Sequence, residues 1–346
     1  SFENTFRRLL PRVVLAAAFF HIAPPSLSAS QAEIACVGDV MMAYHLKPVL
    51  KRKGPHYPFD KIRALLKKSD FVFGNLENPI GTTGEEYPDK EYIFRMEPAH
   101  AAALWEAGFR VMSLANNHIL DFGPEALAET GRHLYDQGIA SCGAGKNIEE
   151  ARKPAVVMVR GKRIAFLAYS LTFPIAFSAG PSTPGTAFAD EKLVREDIAH
   201  AKKYCTWVIV SFHWGEEYTY LPSDLQRKLA HTAIDAGADA VIGHHPHVAQ
   251  GLERYKKKII AYSLGNFVFG TRNPNAVEGL VLKLKLRTGH SPRAEILPVL
   301  VQNTKTGFQT RPLKKAALRK FIHRLKQLSA ELDTSLRVKK GRVLLP

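Results

Sequence analysis

The sequence predicts an α/β fold, on three observations. Apolar runs of strand length alternate with helical patterns through most of the chain, the arrangement that covers a largely parallel sheet with helices. Nearly every run ends in a cluster of polar residues, as strands do where their carboxyl ends open onto a site. A chain of 346 residues with 46% hydrophobic content can close a large core. No internal repeat occurs and composition does not break before about residue 310, so one domain over 33–310 is expected, between an N-terminal segment, 1–32, and a C-terminal tail, 311–346.

The N-terminal segment has the layout of a secretory signal. Arg7, Arg8 and Arg12 precede an apolar stretch over 13–23, Pro24 and Pro25 break it, and small residues over 26–32 offer cleavage after Ser30 or Ala32. The apolar stretch falls short of the ~20 residues a membrane helix needs, so export without anchoring is expected. Cys36, Cys142 and Cys205 are too few for a disulfide framework.

Strands follow at 34–37, 71–73, 111–115, 207–212, 240–242 and 259–264. In that order they run into Gly38-Asp39, Gly74-Asn75-Leu76-Glu77-Asn78, Asn116-Asn117-His118, His213-Trp214-Gly215-Glu216-Glu217, a histidine cluster after Gly243, and Gly265-Asn266-Phe267. Asn, Asp and Gly also serve in ordinary turns, but turn chemistry does not require a cluster at every strand end. Helices are expected at 124–137, opening on Pro124 and closing before Gly138, at 190–204, and at 223–236, where Ser223 is the N-cap. Runs at 156–159 and 164–169 form one hairpin, and 280–286 with 294–301 another. The stretches 81–90 and 173–186 read as long loops that rim or cover a site. In the tail, Leu318, Phe321, Ile322, Leu325, Leu328 and Leu332 form one apolar stripe among lysines and arginines. Docking on the domain is its expected use, with an anionic membrane or an acidic polymer as the alternative.

Chemistry concentrates in V-I-G-H-H-P-H-V-A-Q over 241–250. In an extended segment His245 and His247 share a face, where two nitrogens can converge on a cation, and His244 points the other way. This segment alone offers too few ligands, and the other strand ends add Asp39, Glu77, Asn117, His118 and His213. Carboxylate, amide carbonyl and imidazole together suit Mn, Fe or Zn, in a set larger than one ion needs. Two divalent ions ~4 Å apart would clamp a phosphoryl group, the logic of metal-assisted phosphoester hydrolysis.

Six motifs carry a family resemblance: Gly38-Asp39-Val40-Met41, Asn75-Leu76-Glu77, Leu114-Ala115-Asn116-Asn117-His118 with Asp121 and Gly123, His213-Trp214-Gly215-Glu216, Gly243-His244-His245-Pro246-His247-Val248, and Tyr262-Ser263-Leu264-Gly265-Asn266-Phe267. In order and spacing, from about residue 33 to about 301, they resemble the capsule-synthesis protein CapA family of poly-γ-glutamate biosynthesis. The resemblance implies a four-layer α-β-β-α sandwich similar to calcineurin-like metallophosphoesterases. It also implies that Asn117, His213 and His245 hold one ion, that Asp39 and His247 hold a second, and that Glu77 bridges them. His118 would stay off the metal as general acid, oriented by Asp121 or Glu217. Two departures stand out: Met41 occupies the place of that superfamily's first-motif histidine, and its bridging aspartate has no equivalent except Asn75 or Glu77.

The net charge of +16 favours acidic partners without choosing among polymer, lipid and nucleic acid, and more than half of it comes from the tail. The resemblance makes the choice: poly-γ-glutamate as the acidic polymer, other proteins of the capsule machinery, peripheral contact with an anionic membrane, and no nucleic acid. Its implied place is exported, periplasmic or on the extracytoplasmic face of the membrane. The expected function is a metal-dependent hydrolase-like site serving synthesis, assembly or export of the polymer. The alternative is a non-catalytic polymer-binding or scaffold component of that machinery.

Overall fold

The computed structural model describes residues 20–21, 31–339 and 342–345. The leader expected over 1–32 therefore lies outside the described residues for almost all its length. Its last two residues, Gln31 and Ala32, already belong to the first long strand, and Ala32 is buried.

The first part of the chain alternates strand and helix: β1 (Gln31–Met41), α1 (Lys47–Lys53), β2 (Phe71–Leu76), α2 (Ala101–Ala107), β3 (Phe109–Ser113), α3 (Gly123–Asp136) and β4 (Ala140–Cys142). Its strands pair in parallel in that order. A hairpin of β5 (Ala155–Val159) and β6 (Lys162–Ser170) opens a second sheet. After α4 (Glu191–Lys202), β7 (Trp207–His213), α5 (Asp224–Asp235) and β8 (Ala240–His244), a second hairpin of β9 (Leu252–Tyr255) and β10 (Lys258–Ala261) completes it. Within it β6, β7, β8 and β10 are mutually parallel neighbours.

The chain then returns to the first sheet. There β11 (Asn266–Phe269) pairs in parallel with the end of β1, and β12 (Glu278–Arg287), in a hairpin with β13 (Arg293–Leu300), pairs antiparallel with the start of β1, both on the edge of β1 opposite β2. Helix α6 (Lys315–Ala330) follows, and a last hairpin, β14 (Arg337–Lys339) and β15 (Arg342–Leu345), extends that sheet beyond β13.

Side chains alternate between the two faces of a strand, and here both faces are covered, so the central strands read as continuous apolar runs. In β2, Phe73 faces the second sheet while Val72 faces Leu104 and the other outer helices. In β7, Ile209 faces inward while Val210 packs with Val194 and Ile198 of α4 and Leu229 of α5. The result is the expected four-layer α-β-β-α sandwich. Phe73 stacks on Phe166 across the sheet interface with ring centroids 4.9 Å apart. Burial of each such ring contributes about 1.5–3 kcal/mol.

Tertiary structure changes several expected boundaries. The strand expected over 259–264 stops at Ala261, and Asn266 begins a separate strand that crosses to the first sheet. At this crossing a Cβ on Gly38 would lie 1.7 Å from the Gly265 carbonyl oxygen, so only glycine fits, and the next residue, Asp39, donates its backbone N–H to that oxygen at 3.0 Å. Strand β9 went unread because Glu253 and Arg254 interrupt its apolar pattern. The tail stripe docks on the domain: Phe321 and Leu325 enter the core between the sheets, and Ser329 Oγ accepts the Leu252 N–H at 3.0 Å.

Candidate metal centre

The parallel strands of both sheets end at one edge of the sandwich, and the chemistry gathers there. Asp39 lies near the end of β1, and Asn75 and Glu77 lie at the end of β2; all three are fully buried. Asn75 Nδ2 donates to Asp39 Oδ1 at 2.9 Å and to Glu77 Oε2 at 3.2 Å, while its Oδ1 accepts from Asn116 Nδ2 at 3.0 Å. Asn75 therefore spaces the two carboxylates, and Glu77 is the oxygen donor of the pair. From the second sheet, His213 ends β7, with Nε2 2.9 Å from Asn117 Oδ1. The rings of His213 and His245 lie 4.8 Å apart. His247 Nδ1 lies 3.3 Å from Asp39 Oδ2 and 2.8 Å from Asn266 Oδ1.

Two wholly buried sets of ligand atoms converge, each within 4.8 Å: Glu77, His213 and His245, and Asp39, Glu77 and His247. Glu77 belongs to both. Its Oε1 is buried without a hydrogen-bond partner, 3.7 Å from His247 Nε2 and 4.0 Å from His213 Nε2. A buried anionic oxygen without a donor is costly, and a divalent cation among these nitrogens and oxygens would satisfy it. The residues present therefore fit a metal.

Protonation equilibria agree with that fit. Burial pushes the Glu77 carboxyl well above its usual range, and the charges of Asp39 and Glu217 add to the effect. Burial would raise Asp39 too, but His244 and His247 override it and hold the carboxyl well below the usual range. Burial, reinforced by His245, keeps His213 well below an ordinary imidazole, and burial with the nearby His247 pushes His245 down to about 3. Both are held as neutral imidazoles, the form that ligates.

Residues 33–271 match the family model described as bacterial capsule synthesis protein PGA_cap. The chain belongs to that family. It is 32% identical to the PGA biosynthesis protein CapA of Bacillus subtilis (strain 168) over 310 residues, which cover 89% of this chain and 80% of that protein. It is 34% identical to the capsule biosynthesis protein CapA of Bacillus anthracis, over 77% of this chain and 66% of that one, just under two thirds of its length. Among solved structures, the NAD nucleotidase NadN of Haemophilus influenzae superposes with a TM-score of 0.48 at 13% identity, over 88% of this chain and 58% of that one.

Three readings of the PGA_cap motifs change. The histidine segment is not extended: β8 ends at His244, and His245 and His247 have φ of 96° and 58°. His244 is not turned away: it shares the inward face of β8 with Ala240 and Ile242, and its Nδ1 lies 3.3 Å from Asp39 Oδ1 in the buried cluster, without a hydrogen bond. Glu217 is not the partner of His118; its carboxylate lies with His245 and His247 at the exposed mouth. Asp121 has that role, with Oδ2 2.8 Å from His118 Nδ1. Met41, in the place of the superfamily's histidine, is buried in an apolar cluster with Phe94 and Phe269 and provides no ligand there.

Lys90 was missed as a site residue. From the loop over 81–90 its ammonium reaches Asp121 Oδ1 and the Asn117 carbonyl oxygen, and it lies 3.0 Å from His118 Nδ1. The only signal was a lysine at the end of a long loop, which surface lysines share.

Proposed function

We propose that this PGA_cap chain is an exported, metal-dependent hydrolase of phosphoester type, serving synthesis, assembly or export of the acidic capsule polymer poly-γ-glutamate. The reading rests above all on Glu77, a buried carboxylate shared by two ligand sets, one of its oxygens lacking any donor. Asp39, Glu77, Asn117, His213, His245 and His247 would hold two divalent ions of the Mn, Fe or Zn class. Such ions, when bound, supply Lewis acidity toward an ester oxygen. His118 is the proton carrier beside them: Asp121 holds Nδ1–H and steadies the imidazolium formed when Nε2 takes up a proton against the lowering effect of burial, and that proton passes to a leaving group. The capsule polymer enters through the names of the two CapA relatives, and export through the leader-like layout of 1–32.

A scaffold reading has one observation in its favour, the apolar, buried Met41 in the place of the metallophosphoesterase superfamily's first-motif histidine. One experiment separates the two. Protein purified without chelators is analysed for metal and assayed on bis-p-nitrophenyl phosphate, then treated with EDTA and reloaded with Mn²⁺. The hydrolase loses turnover with EDTA and regains it with Mn²⁺; a scaffold shows none in either state.

A further inference from the structure

At the opposite end of β1 from Asp39 lies a groove of about 1080 Å³ between the β12–β13 hairpin, α6 and the terminal hairpin β14–β15. Antiparallel pairing sets Arg287 opposite Gln31, at the start of β1, eight residues before Asp39. At the rise of an extended strand this places the groove about 25 Å from the metal ligands.

The groove's lining is cationic to a degree that its own packing does not explain. Arg287, Arg293, Lys326, Arg337 and Lys339 line it, and among the described residues none of the five has a carboxylate partner. Glu295 is the carboxylate in the lining, and Lys285 at 3.2 Å and Arg342 at 3.5 Å already share it. Register adds a second, independent observation. Lys285 stands directly opposite Arg293, and Lys339 directly opposite Arg342. Like charges so placed destabilise a strand pair; Glu295 answers Lys285 and Arg342, one member of each pair, and among the described residues Arg293 and Lys339 are left without an anion. Beneath the charges, the buried Leu336 and half-buried Leu344 give the groove an apolar floor.

We propose that this groove binds an extended polycarboxylate, a chain whose carboxylates alternate with short methylene segments, at a site separate from the metal centre. The arrangement favours a chain over a lipid bilayer: the five cations rise from four separate elements, β12, β13, α6 and β14, around one groove, and a strand of polymer can follow them from one to the next. Charge complementarity draws the carboxylates to the cations, and the apolar floor receives the methylenes. The inference rests on the reading that this chain handles an acidic polymer and adds the place where the polymer is held.

The test measures anisotropy of fluorescent poly-γ-glutamate of defined length with the full chain, at low and at physiological salt. Phosphatidylglycerol vesicles serve as the membrane probe. The variant R287E/K326E/R337E reverses three exposed groove charges, and K51E/R52E/K53E reverses three on α1, giving the same net change elsewhere. The groove variant should lose affinity about tenfold or more and flatten the salt dependence, while the α1 variant stays within about twofold. Both should keep the metal content of the wild type. Should the reversals impair folding, R287Q/K326Q/R337Q removes the charges more gently and should lose affinity in the same direction. Equal losses in both charge-reversed variants, or none in the groove variant, overturn the groove and leave the polymer reading intact. Groove-dependent binding to vesicles without binding to polymer overturns it in favour of a membrane. A wild-type chain that binds no polymer at either salt overturns the polymer reading itself, whatever its metal content.

Discussion

Lys90 and Asp121 form an ion pair directly behind His118. Asp121 is fully buried, and it also accepts the Phe94 N–H at 2.7 Å, while its backbone carbonyl accepts the Tyr87 N–H at 2.8 Å. One residue thus orients the candidate acid and fastens the loop beside it.

Lys90→Met should therefore destabilise the chain by about 1–3 kcal/mol, because a buried carboxylate loses its charged donor while keeping two others. Denaturant melts measure this, and metal content should be unchanged. An unchanged midpoint would show that the pair contributes nothing net.

His118→Ala should leave metal content near wild type and reduce turnover of the activated diester ~100-fold or more, since an acid acts on the leaving group without being a ligand. Loss of metal in this variant would move His118 into the ligand set.

Glu77→Gln should have opposite signs in the two states. Without metal, melting stability should hold or rise, because a buried ionisable carboxyl beside Asp39 is removed. The stabilisation on adding Mn²⁺, about 2.7 kcal/mol for wild type at a hundredfold excess over Kd, should fall sharply in the variant. An equal Mn²⁺ response in both proteins would remove Glu77 from the ligand set.

The pH dependence of the metal-free protein follows from His213 and His245. Their folded-state values lie below the ordinary 6.5, with His245 at about 3, so their contribution to stability is present above about pH 6.5 and is lost as pH falls toward 3. Melting temperatures in chelator should drop over that range, and the drop should be shallower in His245→Phe. Glu77 acts in the other direction, its contribution being lost as pH rises through its raised value. Parallel profiles for wild type and His245→Phe would contradict the assignment.

Gly38→Ala forces a methyl against the Gly265 carbonyl oxygen, which neither strand can yield without breaking the Asp39 N–H bond to it. The expected cost is about 3 kcal/mol or more, read in a denaturant melt, with metal content falling as Asp39 is displaced. A variant as stable as wild type would mean that the crossing is more compliant than its geometry implies.

The sequence by itself determined the α/β class, the central strands and the residue types of the candidate site. Period and polar strand ends are properties of one segment at a time, and they sufficed to name Asp39, Glu77, Asn117, His118, His213, His245 and His247, which the family resemblance then divided into ligands and the acid His118. The capping of α5 was equally local: Ser223 Oγ and the Gln226 side chain form a reciprocal box at its start. Only the tertiary structure decided how those residues meet. His244 continues the inward face of β8 after Ala240 and Ile242, and positive φ at His245 and His247 turns those two into the same cluster. The crossing at Gly38 and Gly265 brought the two sheets' edges together, so that Glu77 from one sheet could be shared with imidazoles of the other. The approach of Lys90 to His118 and the cationic groove each depend on segments far apart in the chain. Their positions follow from strand register and loop path, which no local pattern encodes.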